Sequence, residues 1–323
     1  MLPPVVLGPQ RPTANAPRAL AELAPGPGPI VVLTAGWRAD ELDEEVIQRH
    51  LGPEAAVLPL YTWFEVVMRE LPDLRQAYRA RQDALVDLRR LHRTRLHRAL
   101  EVVRELVELE QTPLVRDQLA LAFDDVRRID DQLLDAAAAI HAEHARASEP
   151  WNAHPSVARL RERATVALRG ARAVAIAGGH VAVLLNRMQF FGVDAVLREI
   201  AGQRPIVAWS AGSMVLADRV VLFYDDPPDG PAFPEVLDRG FGIVPGVVVL
   251  PHARQRLRLD QPSRVAALVT RFRPARCIGT ENGAWLVQDA AGDWANRGEP
   301  DTAFELQADG EVRSLPAAAG GAL

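Results

Sequence analysis

One serine, Ser210, stands where the apolar run 206–209 gives way to a helix-like run beginning "SMVLADRV". A sharp strand-to-helix turn of this kind exposes the side-chain oxygen for nucleophilic attack. It also crowds the positions two before and two after the serine, which must then be small. Those positions are Ala208 and Gly212. The same turn aims the Ala211 N–H at a developing oxyanion, and the helix start adds a favourable dipole. The plainer reading of Ser210 is a helix cap.

Acyl transfer needs further parts. Gly178-Gly179-His180 follows another apolar run and precedes another helix-like run. Glycines there let the backbone approach a second group and turn the Gly179 N–H toward it. A base is offered by His252, which ends the run "VVVLP" at a strand edge, where α/β sheets place their sites. The orienting acid stays open between Asp225 or Asp226, in the loop after the serine's helix, and Glu281, in the turn "GTENGA". In "HARQRLR", Arg254, Arg256 and Arg258 alternate, so an extended segment puts them on one face, suited to carboxylates.

The 323 residues are 48% apolar and 24% charged, which predicts a sizeable core. The net charge of −5 argues against a nucleic-acid binder; every basic charge is supplied by arginine, a composition bias with little bearing on function. The single cysteine, Cys277, permits no internal disulfide. No apolar run approaches the roughly 18–20 residues that span a bilayer, and no secretory leader is read at the start. A cytoplasmic protein, with no membrane partner, is expected.

These parts need elements to carry them. "GPIVVLTAGWR", "DELDEEVIQRHLG" and "AAVLPLY" read as strand, helix and strand, the alternation of parallel α/β structure. From Trp63 to His144 the spacing becomes helical. One set runs Leu85, Leu88, Leu91, Leu96, Leu100, Val103, Leu106; a second runs Leu119, Phe123, Val126, Ile129, Leu133, with Pro113 between. That predicts an antiparallel helical hairpin: a packed structural arm, a lid or a dimer contact. His92, His97, His141 and His144 lie in this arm and are expected mostly in solvent. His141 and His144 share a helix face but bring no carboxylate, so no metal is assigned. Strand–helix alternation returns at Ala173, and turn signals near the end predict β-hairpins. The reading is a single domain, 1–323, with 63–150 a helical insertion and 316–323 a disordered tail.

The order of these motifs resembles the peptidase E (alpha-aspartyl dipeptidase) and cyanophycinase family of serine peptidases. Ala208-Trp209-Ser210-Ala211-Gly212-Ser213 is similar to the family's G-W-S-A-G-A. Gly178-Gly179-His180 resembles its G-G-N turn, with histidine for asparagine. Asp225 lies fifteen residues after Ser210, where peptidase E has its acid. Pro251-His252 resembles the P-H or Q-H pair. Arg256 and Arg258 stand four and six residues after the histidine, as in cyanophycinases, and Gly279-Thr280-Glu281 resembles their later acidic turn. The likeness covers 170–290 well and 1–60 loosely, and leaves out the arm. It implies a flavodoxin-like three-layer α/β sandwich with a mostly parallel sheet, related to class I glutamine amidotransferase domains. Those use cysteine at the elbow, whereas this chain has serine.

The resulting expectation is a serine hydrolase cleaving a short peptide or amide, with an acidic residue near the scissile bond and an acyl-enzyme. Ser210, His252 and Asp225 or Glu281 would form the triad; Gly179 and Ala211 the oxyanion site, with His180 beside it; Arg256 and Arg258 the carboxylate grip. No cofactor is needed, the partner is a small peptide, and a homodimer is possible. The competing expectation is a catalytically silent amidotransferase-like domain that binds a small ligand or a protein partner through its arm.

Overall fold

The computed structural model describes residues 4–224, 233–288 and 292–318. In chain order its elements are β1 (Val5–Leu7), α1 (Ala16–Leu23), β2 (Ile30–Leu33), a 3-10 stretch (Ala35–Asp40), α2 (Glu44–Leu51), β3 (Ala55–Val57), α3 (Leu60–Glu70), α4 (Pro72–Glu108), α5 (Pro113–Ala147), α6 (Glu149–Asn152) and α7 (Pro155–Gly170). There follow β4 (Ala173–Ile176), α8 (Val181–Phe190), α9 (Val193–Ile200), β5 (Ile206–Trp209), α10 (Ala211–Leu216), β6 (Arg219–Leu222), β7 (Glu235–Arg239), β8 (Val247–Pro251), α11 (Ala253–Arg256) and α12 (Pro262–Phe272). The last are β9 (Arg276–Thr280), β10 (Trp285–Gln288), β11 (Trp294–Asn296), β12 (Ala303–Leu306) and β13 (Val312–Ser314). The fold is α/β, with a mostly parallel main sheet, a long helical insertion and C-terminal strands.

The main sheet has seven strands in the order β11-β10-β1-β5-β4-β2-β3. β1, β5, β4, β2 and β3 run parallel, in register through Val6 with Ala208 and Ile176 with Ala208. Strands β1, β2, β4 and β5 are buried throughout, which explains their unbroken apolar runs. A separate four-stranded sheet, β13-β12-β9-β8, and a two-stranded β6–β7 hairpin complete the strands among the described residues. The sequence does not announce this division. "ARCIGTENGAWLVQ" reads as two runs around a turn, yet its first run joins the small sheet and its second the large one.

Helices α4 and α5 form the expected antiparallel arm, joined by residues 109–112. Thr112 caps α5 by accepting the Val115 N–H at 3.3 Å. Leu85, Leu96, Leu100, Val103, Phe123, Val126 and Leu133 are buried as the spacing predicts, but Leu91 is 56% exposed. The core position beside it belongs to His92, only 5% exposed. His92 Nε2 lies 3.2 Å from Asp130 on α5, and Asp130 accepts two bonds from Arg271 of α12 at 2.7 and 2.8 Å. His141 is also engaged, at 2.7 Å from Asp238 of β7. The expectation of solvated arm histidines is therefore corrected at both positions. A buried charge network, absent from any local pattern, ties the arm to the body.

Residues 316–318, read from sequence as the start of a disordered tail, pair with the chain at Asn296. The rest of that tail lies outside the described residues. Among the described residues, no helix is long and apolar enough to cross a membrane.

Candidate active site

The loops that leave the C-terminal ends of β1, β2, β4 and β5 converge, as open α/β sheets require of their sites. At the end of β5 the chain turns on Ser210, with φ 50° and ψ −122°. A non-glycine residue held there is strained by about 1–3 kcal/mol, and only surroundings that over-determine the turn retain it. The surroundings are visible. A Cβ on Gly212 would stand 2.2 Å from the Ile176 carbonyl oxygen, and Ala208 is fully buried between β1 and β4. Ser210 makes no side-chain cap bond to α10, so the plain capping role does not account for it.

The turn at 178–180 packs against this corner. A Cβ on Gly178 would lie 2.9 Å from Ser210 Cβ, and one on Gly179 would lie 2.6 Å from the Gly36 backbone. Gly179 takes φ 112°, a conformation suited to glycine alone. The His180 N–H donates to Gly36 O at 2.8 Å, which locks the turn to the end of β2. Among the described residues neither the Gly179 nor the Ala211 N–H has a protein acceptor. His180 departs from its expected place. Its Nδ1 accepts the Val183 N–H at 3.3 Å, capping α8, and its ring is not part of the cleft wall.

His252 follows β8 in the left-handed region, φ 57°, with its N–H bonded to Thr280 O at 2.9 Å. Burial, and then the Arg256 cation, push its imidazole below the usual range, so the neutral, proton-accepting form is favoured. Ser210 and His252 line one cleft of about 520 Å³, with Gly178, Gly179, Ala211 and Arg256. No hydrogen bond joins their side chains among the described residues.

The acids separate. Asp225 and Asp226 lie outside the described residues; the residue before them, Tyr224, is on the cleft wall. Glu281 is described, and its carboxylate accepts the Arg254 N–H at 2.8 Å. Burial raises its carboxyl against the lowering effect of that bond and of the Arg254 and Arg256 charges. It braces the turn that carries His252 and is not part of the cleft wall.

The arginines separate too, and here the sequence reading is corrected. Residues 253–256 form a helical turn, so Arg256 and Arg258 do not share a face. Arg256 lines the cleft, its guanidinium 4.8 Å from the Tyr224 ring centre and 5.7 Å from that of Phe223. Arg258 lines a different hollow, of about 210 Å³, beside Leu100, Val103 and Leu268. The second cation of the cleft is Arg11, which the sequence reading missed together with Trp37 and Tyr224. The signal was available: Arg11 and Trp37 sit in the loops after β1 and β2, neighbours of β5 and β4 in the sheet. Among the described residues neither Arg11 nor Arg256 has a carboxylate partner. Cys277 is buried in β9 with its thiol pushed up to about 12, which removes it as a nucleophile.

A family model, Peptidase family S51, matches residues 110–292, a span containing Ser210, His252 and Glu281. No curated protein matches the sequence. Among solved structures, the crystal structure of a peptidase from an acI-B1 Actinobacterium is similar. It is 16% identical, with 99% of this chain and 96% of that one covered, at a TM-score of 0.49.

Proposed function

This chain belongs to peptidase family S51 and is a serine-type peptidase, and on that premise we propose that it cleaves short peptides with an acidic residue near the scissile bond. The observation that carries the reading is the strained Ser210 turn opening into the same cleft as His252. Ser210 Oγ attacks the scissile carbonyl while His252 takes its proton. The N–H groups of Gly179 and Ala211 receive the oxyanion. His252 then gives the proton to the leaving amine, and water, activated by His252, hydrolyses the acyl-enzyme. Arg256 supplies the carboxylate grip, and Arg11 a second cation at the same cleft. The cleft wall carries no Asp or Glu among its described residues, which suits an anionic substrate.

Asp225 is the orienting acid favoured here, because it follows Tyr224 of the cleft wall in the chain, whereas Glu281 is not part of that wall. The partner is a small peptide, with no role for metal or nucleic acid in the chemistry.

A fluorophosphonate probe tests the nucleophile. Stoichiometric labelling of the wild type, lost in a folded Ser210→Ala variant, is expected, together with loss of turnover by about 10⁴-fold or more. Wild-type turnover in folded Ser210→Ala would remove Ser210 from the mechanism. No labelling and no turnover of any peptide would leave a silent binding domain.

A further inference from the structure

Among the described residues the β6–β7 hairpin is paired by main-chain ladder bonds to neither of the other sheets. Its outer side faces the arm. Glu235 receives Arg93 through two bonds, at 2.7 and 3.0 Å; Asp131 pairs with Arg219 at 2.9 Å and Asp135 with Arg239 at 2.8 Å. Those pairs are largely solvent-exposed, and each contributes little. The contact at Asp238 differs. Its side chain is 7% exposed; Oδ1 accepts the Arg239 N–H at 2.8 Å, and Oδ2 lies 2.7 Å from His141 Nε2 on α5. A buried carboxylate with its hydrogen-bond partner on another element fixes the two against each other, because that bond cannot be replaced by water without opening the contact; the Arg81 and Arg89 cations of α4 add their charge to the same carboxylate.

The other end of the hairpin meets the cleft. β6 runs from Arg219 to Leu222, and the next two residues, Phe223 and Tyr224, form the cleft wall against Arg256. The chain of contacts is therefore continuous from α5, through His141 and Asp238, along the hairpin, to the stacked Arg256.

We propose that His141 and Asp238 are positioning residues through which the helical arm holds the β6–β7 hairpin and sets the Phe223–Tyr224 wall that orients Arg256 for substrate. The kinetic half of this proposal rests on the peptidase reading above; the structural half does not. A misplaced recognition group weakens capture of the acidic substrate while leaving Ser210 and His252 untouched.

The test compares full-length wild type, His141→Ala, His141→Gln and Asp238→Asn. Amide hydrogen exchange is followed at 219–224 and 235–239, and kcat and KM are measured for an acidic dipeptide and its amidated analogue. His141→Ala is expected to speed exchange at 219–224 and raise KM for the acidic substrate about tenfold, with kcat nearly kept. The amidated analogue changes little. His141→Gln, which can still donate to Asp238, restores both. Unaltered exchange at 219–224 in His141→Ala overturns the proposal, and so does faster exchange with unchanged KM. If Asp238→Asn fails to fold, the histidine variants still decide the matter. If the wild type cleaves neither peptide, the peptidase reading fails, and the exchange data alone judge the arm–hairpin link.

Discussion

Replacing Arg256 by alanine tests recognition and acid–base chemistry together. Its guanidinium lies over the Tyr224 and Phe223 rings, without a carboxylate of its own among the described residues. A charge-assisted bond to a substrate carboxylate is worth about 1.5–3 kcal/mol, or roughly 10- to 150-fold in kcat/KM. Because the side chain is only half-buried, solvent screening places the effect near the lower end. The preference for an acidic peptide over its amide should therefore fall about tenfold in Arg256→Ala. The second effect is on pH. Burial first, and then Arg256, hold the His252 imidazole below its usual value. A nearby cation disfavours the imidazolium, so its removal lets that value rise, and the acid limb of kcat/KM moves to higher pH. Arg256→Lys keeps the charge and so keeps the limb, but it lacks the planar fork and recovers the preference only in part. The assay is kcat/KM between about pH 4 and 9, which spans the range where histidine titrates, for matched acid and amide substrates. An unchanged acid-to-amide ratio together with an unmoved limb would refute the placement of Arg256 beside both substrate and base.

Asp225→Asn should cost far more activity than Glu281→Gln, read as kcat/KM; equal and small losses would put the orienting acid elsewhere. Asp130→Ala leaves Arg271, 2% exposed, as an uncompensated buried cation, and should destabilise the fold by about 3–5 kcal/mol in urea unfolding. A loss under about 1 kcal/mol would show that the network adds little. Gly212→Ala must push against the Ile176 carbonyl and should cost about 1–3 kcal/mol, with wild-type stability counting against the crowded turn. His144 is pushed down to about 4, mainly by burial and then by Arg81 and His141. It stays neutral in the fold while the unfolded chain takes up a proton, so stability falls as pH drops from about 6.5 toward 4. His144→Gln should flatten that part of the pH–stability curve.

What was legible in the sequence was what local sterics dictate. The Ser210 corner and the 178–180 turn declare themselves because small residues must surround them, and both stand where the spacing put them. The arm's apolar stripes follow from helical period, so its seam is largely as read. What was not legible depends on distant chain. His92 occupies a core position only because Asp130, 38 residues along the chain, and Arg271, a further 141 residues on, meet there. Arg258 was misplaced because a four-residue helical turn is too short to leave a periodic signature. Arg11 belongs to the cleft only through the order of strands in the sheet, which composition does not encode.

Ser210 ends a strand of the seven-stranded sheet, whereas His252 ends a strand of the four-stranded one. Among the described residues no ladder bond crosses between them. The chain passes from one to the other at 281–284, where Ala284 O accepts the Gly8 N–H at 3.0 Å and Glu281 fastens the Arg254 N–H. A nucleophile and base mounted on separate plates lose alignment by shear before either plate melts. Asn282, in the same turn, then acts as a rivet at the joint, its side-chain amide donating to Pro9 O and Thr13 O, each at 2.6 Å, in the chain that follows β1. Its loosening would silence the enzyme while both sheets, and every spectroscopic sign of folding, stayed intact.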